Sequence, residues 1–201
     1  MSQPRIVLAS QSPSRASILR GAGVEPILHP AHVDEDKIQA ELSHEPPAEI
    51  VAALARAKAR AVVEHYPNDV IIGGDSMLLL DGALQGKPHT PQRTIERWQQ
   101  QAGKTAHLLT GHSVLYRGRE HNETSETLVQ FAHASEADIR AYAATGEPLA
   151  CAGAFTLEAL GGWFIDRIDG DPSSVIGLSL PVVRRALYNF GCDVSTFWNR
   201  V

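Results

Sequence analysis

The sequence has no excess of basic residues, no cysteine framework and no long apolar run. Lysine and arginine total 18 against 23 aspartates and glutamates, a formal net charge of −5. A protein that binds nucleic acid through its general surface carries the opposite balance, so nucleic acid is not expected as a partner. The two cysteines, Cys151 and Cys192, form neither a CxxC nor a zinc spacing, which excludes a disulfide scaffold and suits a reducing cytoplasm. No stretch approaches the roughly 20 apolar residues that span a bilayer, so no membrane partner is expected. Only a short apolar run follows Arg5, so no signal peptide is expected either. None of the nine histidines sits in an HxxxH or HExxH pair; none is assigned to a metal, and most are expected at the surface. There is no internal repeat, low-complexity run or clear linker. What remains is ordinary globular composition, 43% hydrophobic and 20% charged. In 201 residues it is enough for one domain over 1–201, with room for two lobes around a central cleft.

Apolar runs and breakers divide the chain. Residues 5–9 read as a buried strand, and Pro13 opens a helix to about Gly21 with Ser12 as its cap. Residues 24–29 read as a second strand. Residues 32–36 read as an acidic turn or helix start. Pro46-Pro47 opens a long helix ending near Pro67, with Ile50, Val51, Leu54, Ala55 and Val62 as its apolar stripe. Val70–Gly73 reads as a short buried strand, extended again at Met77–Leu80 and broken by a hairpin at Asp81-Gly82. A helix over Pro91–Gln101 follows, then long strands over 105–117 and 124–132, then a helix over 135–145. A late strand over 162–168 precedes the last helix, Pro181–Phe190. Beyond Cys192 no element is read; Phe197 and Trp198 pack on the body or on a second subunit. Alternating strands and helices around a hairpin-rich middle indicate a mixed α/β sheet.

The chemistry-bearing residues stand at the joints of this pattern. In SQSPSR a strand ends and a helix begins, and a helix N-terminus offers free N–H groups and a positive dipole end. Ser10 and Ser12 add hydroxyls, and Arg15 adds a planar fork of donors suited to phosphate. The same residues equally describe a capped helix with a solvated arginine. In VIIGGDS, Asp75 follows an apolar strand, where ligands of α/β sheets collect. A carboxylate there can hold a divalent metal or take a proton from water; beside Gly73-Gly74 it can also be a turn residue. Lys87 lies on a Gly-Pro-flanked turn. Lys58 falls four residues after Leu54 on the apolar helical face, either snorkelling to water or aimed into a cleft. Glu35 adds a second carboxylate or starts a helix. Together they are the groups a polyphosphate and a divalent metal require.

In order along the chain stand Ser10-x-Ser12-Pro13-x-Arg15, Val33-Asp34-Glu35, Leu54-Ala55-x-x-Lys58-Ala59, Gly74-Asp75-Ser76, Gly86-Lys87-Pro88, Thr110-Gly111, Ala152-Gly153-Ala154-Phe155 and Val175-Ile176-Gly177-Leu178. This ordered set, from about residue 5 to residue 191, resembles the Maf family of septum-formation-inhibitor-like nucleotide pyrophosphatases. The resemblance implies a mixed twisted sheet flanked by helices with a cleft, Maf/ITPase-like. It implies hydrolysis of a nucleoside triphosphate between its α and β phosphates, with a divalent cation, magnesium or manganese, as cofactor. By motif, Asp75 matches the general base. Glu35 matches a catalytic or metal-site acid, so Asp75 and Glu35 are the implied metal ligands. Ser10, Ser12, Arg15, Lys58 and Lys87 match phosphate-binding positions. A homodimer and a part in limiting cell division are family-level expectations. A nucleotide-binding regulator with little turnover is the alternative reading, and the two placed carboxylates speak against it.

The sequence departs from the family in its opening motif and near the base-binding end. Ser14 replaces the usual arginine, and also the tryptophan of the 7-methylguanosine triphosphate subgroup. Cys151-Ala152-Gly153 and Glu158 replace the Lys-Ala-Gly and glutamine of the pyrimidine subgroup. A glutamine both donates and accepts, as uracil and thymine require. An ionised glutamate only accepts, which suits the adjacent N–H donors of guanine. The expectation is a guanine-type base, methylated guanine included, against broad specificity with a solvated Glu158.

Overall fold

The computed structural model describes residues 3–199. Strand β1 (Ile6–Leu8) leads into helix α1 (Pro13–Gly21), followed by β2 (Ile27–Leu28), α2 (Glu35–Glu41) and α3 (Pro47–Val62). Next come β3 (Val70–Leu80), β4 (Ala83–Gln85), α4 (Pro91–Gln101), β5 (Thr105–Tyr116) and β6 (Arg119–Phe131). The chain ends with α5 (Glu136–Ala144), β7 (Ile165–Asp169), α6 (Pro172–Ile176) and α7 (Leu180–Asn189). The seven strands form one mixed sheet in the order β2-β1-β3-β5-β6-β7, with β4 on β3. β1 runs parallel to β2 and β3, whereas β3–β4 and β6–β7 are antiparallel. The mixed α/β class expected from the sequence is the one observed.

The chain divides into two compact units. The first comprises residues up to Asp75, Thr110–Ser125 and the chain from Gly177 on; the second comprises Ser76–Leu109 and Glu126–Ile176. β3, β5 and β6 each run from one unit into the other. The first unit's core gathers Leu8, Leu19, Ile72, Val114, Leu178 and Leu187. Phe197 joins this core through the 3₁₀ turn Val194–Phe197, while Trp198 stays half exposed. The second unit is built around Trp98, fully buried, with the Phe131, Tyr142 and Phe164 rings edge-on to it at 5.5, 5.8 and 5.5 Å. Its indole N–H donates to the Ala154 carbonyl at 2.8 Å, so the polar end of the ring is satisfied.

Several elements differ from the sequence reading; β7 begins at Ile165 rather than 162, and α6 is a helix the sequence reading lacks. The expected break at Gly74–Ser76 is absent, and β3 runs unbroken for 11 residues. The two glycines take extended backbone there because neighbouring elements need the space. β6 starts at Arg119 rather than near 124. Arg117 and Gly118, both at positive φ, form a two-residue turn, the geometry that matches strand twist in a hairpin. The strand expected over 24–29 shrinks to Ile27–Leu28, the two residues that follow Pro26, whose missing N–H cannot join a ladder.

Candidate active site

The first unit assembles its charged groups on either face of β3. Alternation along a strand sends Gly73 and Asp75 to one face and Gly74 to the other. A Cβ on Gly73 would lie 2.2 Å from the Ala55 carbonyl oxygen, and one on Gly111 would lie 2.3 Å from that of Val51. α3 therefore rests on bare backbone at two positions. Its apolar residues, Ile50, Val51, Leu54, Ala55 and Val62 among them, are buried as the stripe predicts. Lys58 shares that buried side and meets Asp75 two residues beyond Gly73. Its Nζ lies 2.7 Å from Asp75 Oδ1 and 2.9 Å from Glu35 Oε1. The Lys58 and Asp75 side chains are each 9% exposed, whereas Glu35 is 46% exposed. Glu35 opens α2, whose N-terminus is capped by the Asp34 carboxylate accepting the Lys37 N–H at 3.0 Å.

On the other face, a Cβ on Gly74 would lie 3.4 Å from Arg15 Nε. Ser12 caps α1 by accepting the Arg15 N–H, and Pro13 takes the first helical position. The Ser10 hydroxyl accepts from the Ser12 N–H at 3.1 Å and from Arg15 Nη1 at 3.2 Å. Arg15 Nε donates to the Gly177 carbonyl at 2.7 Å. Burial lowers the guanidinium's pKa from its ordinary value, and the Asp75 and Glu35 charges oppose that shift. Arg15 is thus a buried strut joining α1 to the Gly177 turn, not a solvated arginine. The structure brings Ser10, Ser12, Arg15, Glu35, Lys58 and Asp75 together in one unit.

Lys87 and Glu158 belong to the second unit, and both are exposed. The loop bearing Lys87 is tied at both ends. The Gly86 carbonyl accepts from Arg97 Nη1 and from the Gly153 N–H, and the His89 N–H donates to the Leu149 carbonyl at 3.0 Å. Glu158 Oε2 accepts the Leu157 N–H at 3.1 Å. Burial pushes the Cys151 thiol up to about 11; the Glu158 and Glu147 charges add to this, and Lys87 opposes it. Cys151 thus feels both exposed candidates. Its thiol stays protonated at neutral pH, so it is no nucleophile.

Some supporting residues escaped the sequence reading. Glu147 accepts from Tyr142 OH at 3.1 Å, Thr156 Oγ1 at 2.5 Å, and the Leu160 and Gly161 N–H groups at 3.3 and 3.1 Å. This clamp fixes the loop that displays Glu158. Burial alone would raise the Glu147 pKa, but its hydrogen bonds from Thr156, Gly161, Leu160 and Tyr142 bring the net shift below the ordinary value. Nothing in Gly146-Glu147-Pro148 distinguishes it from a turn glutamate. His112, against the surface expectation for most histidines, is fully buried, and its Nε2 accepts the Ser179 N–H at 2.8 Å. Its place in an apolar strand after Thr110-Gly111 was the available signal. Gly73-Gly74 inside an apolar run was the signal for the close approach of α3 and Arg15.

Among the described residues no group of three or more His, Cys, Asp or Glu side chains could hold a metal. Two carboxylates that converge on one cation position still match the way magnesium binds beside phosphates, through one or two carboxylates with water and substrate oxygens. Asp75 and Glu35 fit that donor set. No helix among the described residues is long and apolar enough to cross a membrane.

These elements define a mixed α/β protein with buried cations and paired carboxylates just beyond the parallel pairing of β1 with β3, Asp75 lying within β3. The chain belongs to the Maf family: the Maf-like protein family matches residues 5–190. It is 71% identical over 194 residues to a nucleoside triphosphate pyrophosphatase of Corynebacterium aurimucosum, covering 96% of this chain and 98% of the relative. A protein of the same name from Corynebacterium efficiens is 68% identical over 196 residues, covering 98% and 100%. One from Nocardia farcinica is 52% identical over 203 residues, covering 96% of each chain.

Proposed function

We propose that this chain is a nucleoside triphosphate pyrophosphatase that cleaves between the α and β phosphates, releasing a nucleoside monophosphate and pyrophosphate. The observation that carries this reading is the convergence of Lys58, Asp75 and Glu35 beside buried Arg15 and the serine-capped start of α1. The names of relatives as close as 71% identity support it. A triphosphate carries a charge of roughly −4, and buried cations stabilise charge that moves onto departing pyrophosphate. Ser10, Ser12, Arg15, Lys58 and Lys87 bind phosphate in this reading.

Asp75 and Glu35 would hold a magnesium or manganese ion, which when bound supplies charge neutralisation at the phosphates. Asp75 orients the attacking water and takes its proton. Its place in a strand fixes that carboxylate better than a loop would. Glu158, on the loop clamped by Glu147, accepts from the Watson–Crick edge of a guanine-type base, methylated guanine included. The test is pyrophosphate release from uridine, thymidine, guanosine and 7-methylguanosine triphosphates with magnesium or manganese, beside Asp75→Asn. Release that Asp75→Asn abolishes supports the reading, and the best substrate reports the base preference. Tight nucleotide binding without release under either metal would favour the regulator.

A further inference from the structure

We propose that Lys58 is a built-in counter-cation of the Asp75–Glu35 pair, so that a divalent ion gains these carboxylates only when a triphosphate draws Lys58 away. This rests on the proposed metal-dependent reading and adds an order of events to it. The Lys58 ammonium sits within 3 Å of one oxygen of each carboxylate. A magnesium ion held by these same two oxygens at about 2.0–2.1 Å would need the space the ammonium fills between them. The Arg15 guanidinium, packed 3.4 Å from the Cβ position of Gly74 next to Asp75, adds a second positive charge that repels a lone divalent ion.

Lysine is suited to such an exchange. Its charge is compact, its stem is flexible, and its three N–H donors can pass from carboxylate to phosphate without breaking a planar bidentate geometry. The two carboxylates also differ in freedom. Asp75 is held within β3 and buried, whereas Glu35 is 46% exposed at the first turn of α2. Glu35 can therefore follow an incoming ion while Asp75 stays in place. Each ligand then tightens the other by the same factor, since the coupling is a free energy shared between the two sites. The device keeps the buried Asp75 carboxylate paired in the resting protein, where an unpaired buried charge would be costly.

The test reads metal binding and not turnover. Free manganese(II) is counted by electron paramagnetic resonance during titration of the full chain without nucleotide. Lys58→Met is expected to bind the ion at least about tenfold more tightly than wild type, and Lys58→Met/Asp75→Asn to lose that gain. Equal affinity in folded Lys58→Met and wild type overturns the proposal. A second measurement needs no lysine-free variant. The Lys58 Nζ resonance, assigned by its loss in Lys58→Arg, is expected to stay in place with millimolar magnesium alone. It is expected to move when a triphosphate with a methylene α–β bridge is added. A full shift with magnesium alone overturns the proposal. Wild-type turnover with no gain in Lys58→Met would sink this inference and leave the pyrophosphatase reading intact. The gain without turnover under any metal would do the reverse.

Discussion

The two units of this protein use polar residues in opposite ways. The first buries most of its candidate charges: Arg15, Lys58 and Asp75 are each under 10% exposed, and each is paired with a neighbour or held by backbone, while Glu35 is 46% exposed. The second leaves its candidate residues, Lys87 and Glu158, in water and spends its buried hydrogen bonds on holding the loops beneath them. Buried charges in a dry setting interact strongly and are expensive to misplace, as bond-breaking chemistry requires. Exposed groups on clamped loops can be exchanged at little cost to stability, as selection among ligands requires. On the proposed reading the buried charges carry the reaction, exposed Lys87 adds a phosphate contact, and exposed Glu158 tunes which base is accepted.

That contrast can be broken in four places. The largest effect is expected at Asp75. Asp75→Asn keeps the shape of the side chain and should lower pyrophosphate release by about 10³-fold with the far-ultraviolet spectrum retained. Turnover within a few-fold of wild type would remove Asp75 from the chemistry. Gly73→Ala comes next, and it acts on stability. A methyl at 2.2 Å from the Ala55 carbonyl must push α3 off the sheet, at a cost of about 3 kcal/mol in urea unfolding. An unchanged midpoint would mean that α3 does not need the bare backbone.

In the second unit, Glu147→Gln should cost about 1.5 kcal/mol, because a charged acceptor of four donors becomes neutral. The folded Glu147 pKa lies below its ordinary value, so its contribution is complete above the usual carboxylate range and is lost as pH falls through the lowered folded value. Denaturation curves of the variant from neutral to acid pH should accordingly lose less stability over that window than wild type. A parallel pair of profiles would contradict the clamp. The smallest effect is expected at exposed Glu158. Glu158→Gln should leave the unfolding midpoint unchanged and move the guanosine-to-uridine triphosphate preference about tenfold toward uridine. An unmoved ratio would end its role in base choice.

Much of the framework was legible in the residues. Ser12-Pro13 placed the start of α1, Pro91 and Gln101 bounded α4, and Asp81-Gly82 made the β3–β4 turn, because caps and positive-φ turns are local and chemically specific. The buried side of α3 followed from its periodicity, and Lys58 on that side was the clue to a buried ammonium. What the sequence did not disclose are contacts between distant segments. Arg15 reaches the carbonyl of Gly177, 162 residues away, and Trp98 reaches that of Ala154, 56 residues away; a backbone acceptor carries no residue-type signal. The unbroken run of β3 through Gly73-Gly74 was hidden for a related reason. Glycine punctuates a chain by default, and only the neighbours packed against it reveal that space was the need.

The most direct measurement is hydrolysis of a nucleoside triphosphate in water enriched with heavy oxygen, with magnesium, followed by mass analysis of both products. The account predicts one heavy oxygen in the nucleoside monophosphate and none in pyrophosphate, with the signal lost in Asp75→Asn. Label in pyrophosphate, release of orthophosphate, or equal labelling by Asp75→Asn would contradict it.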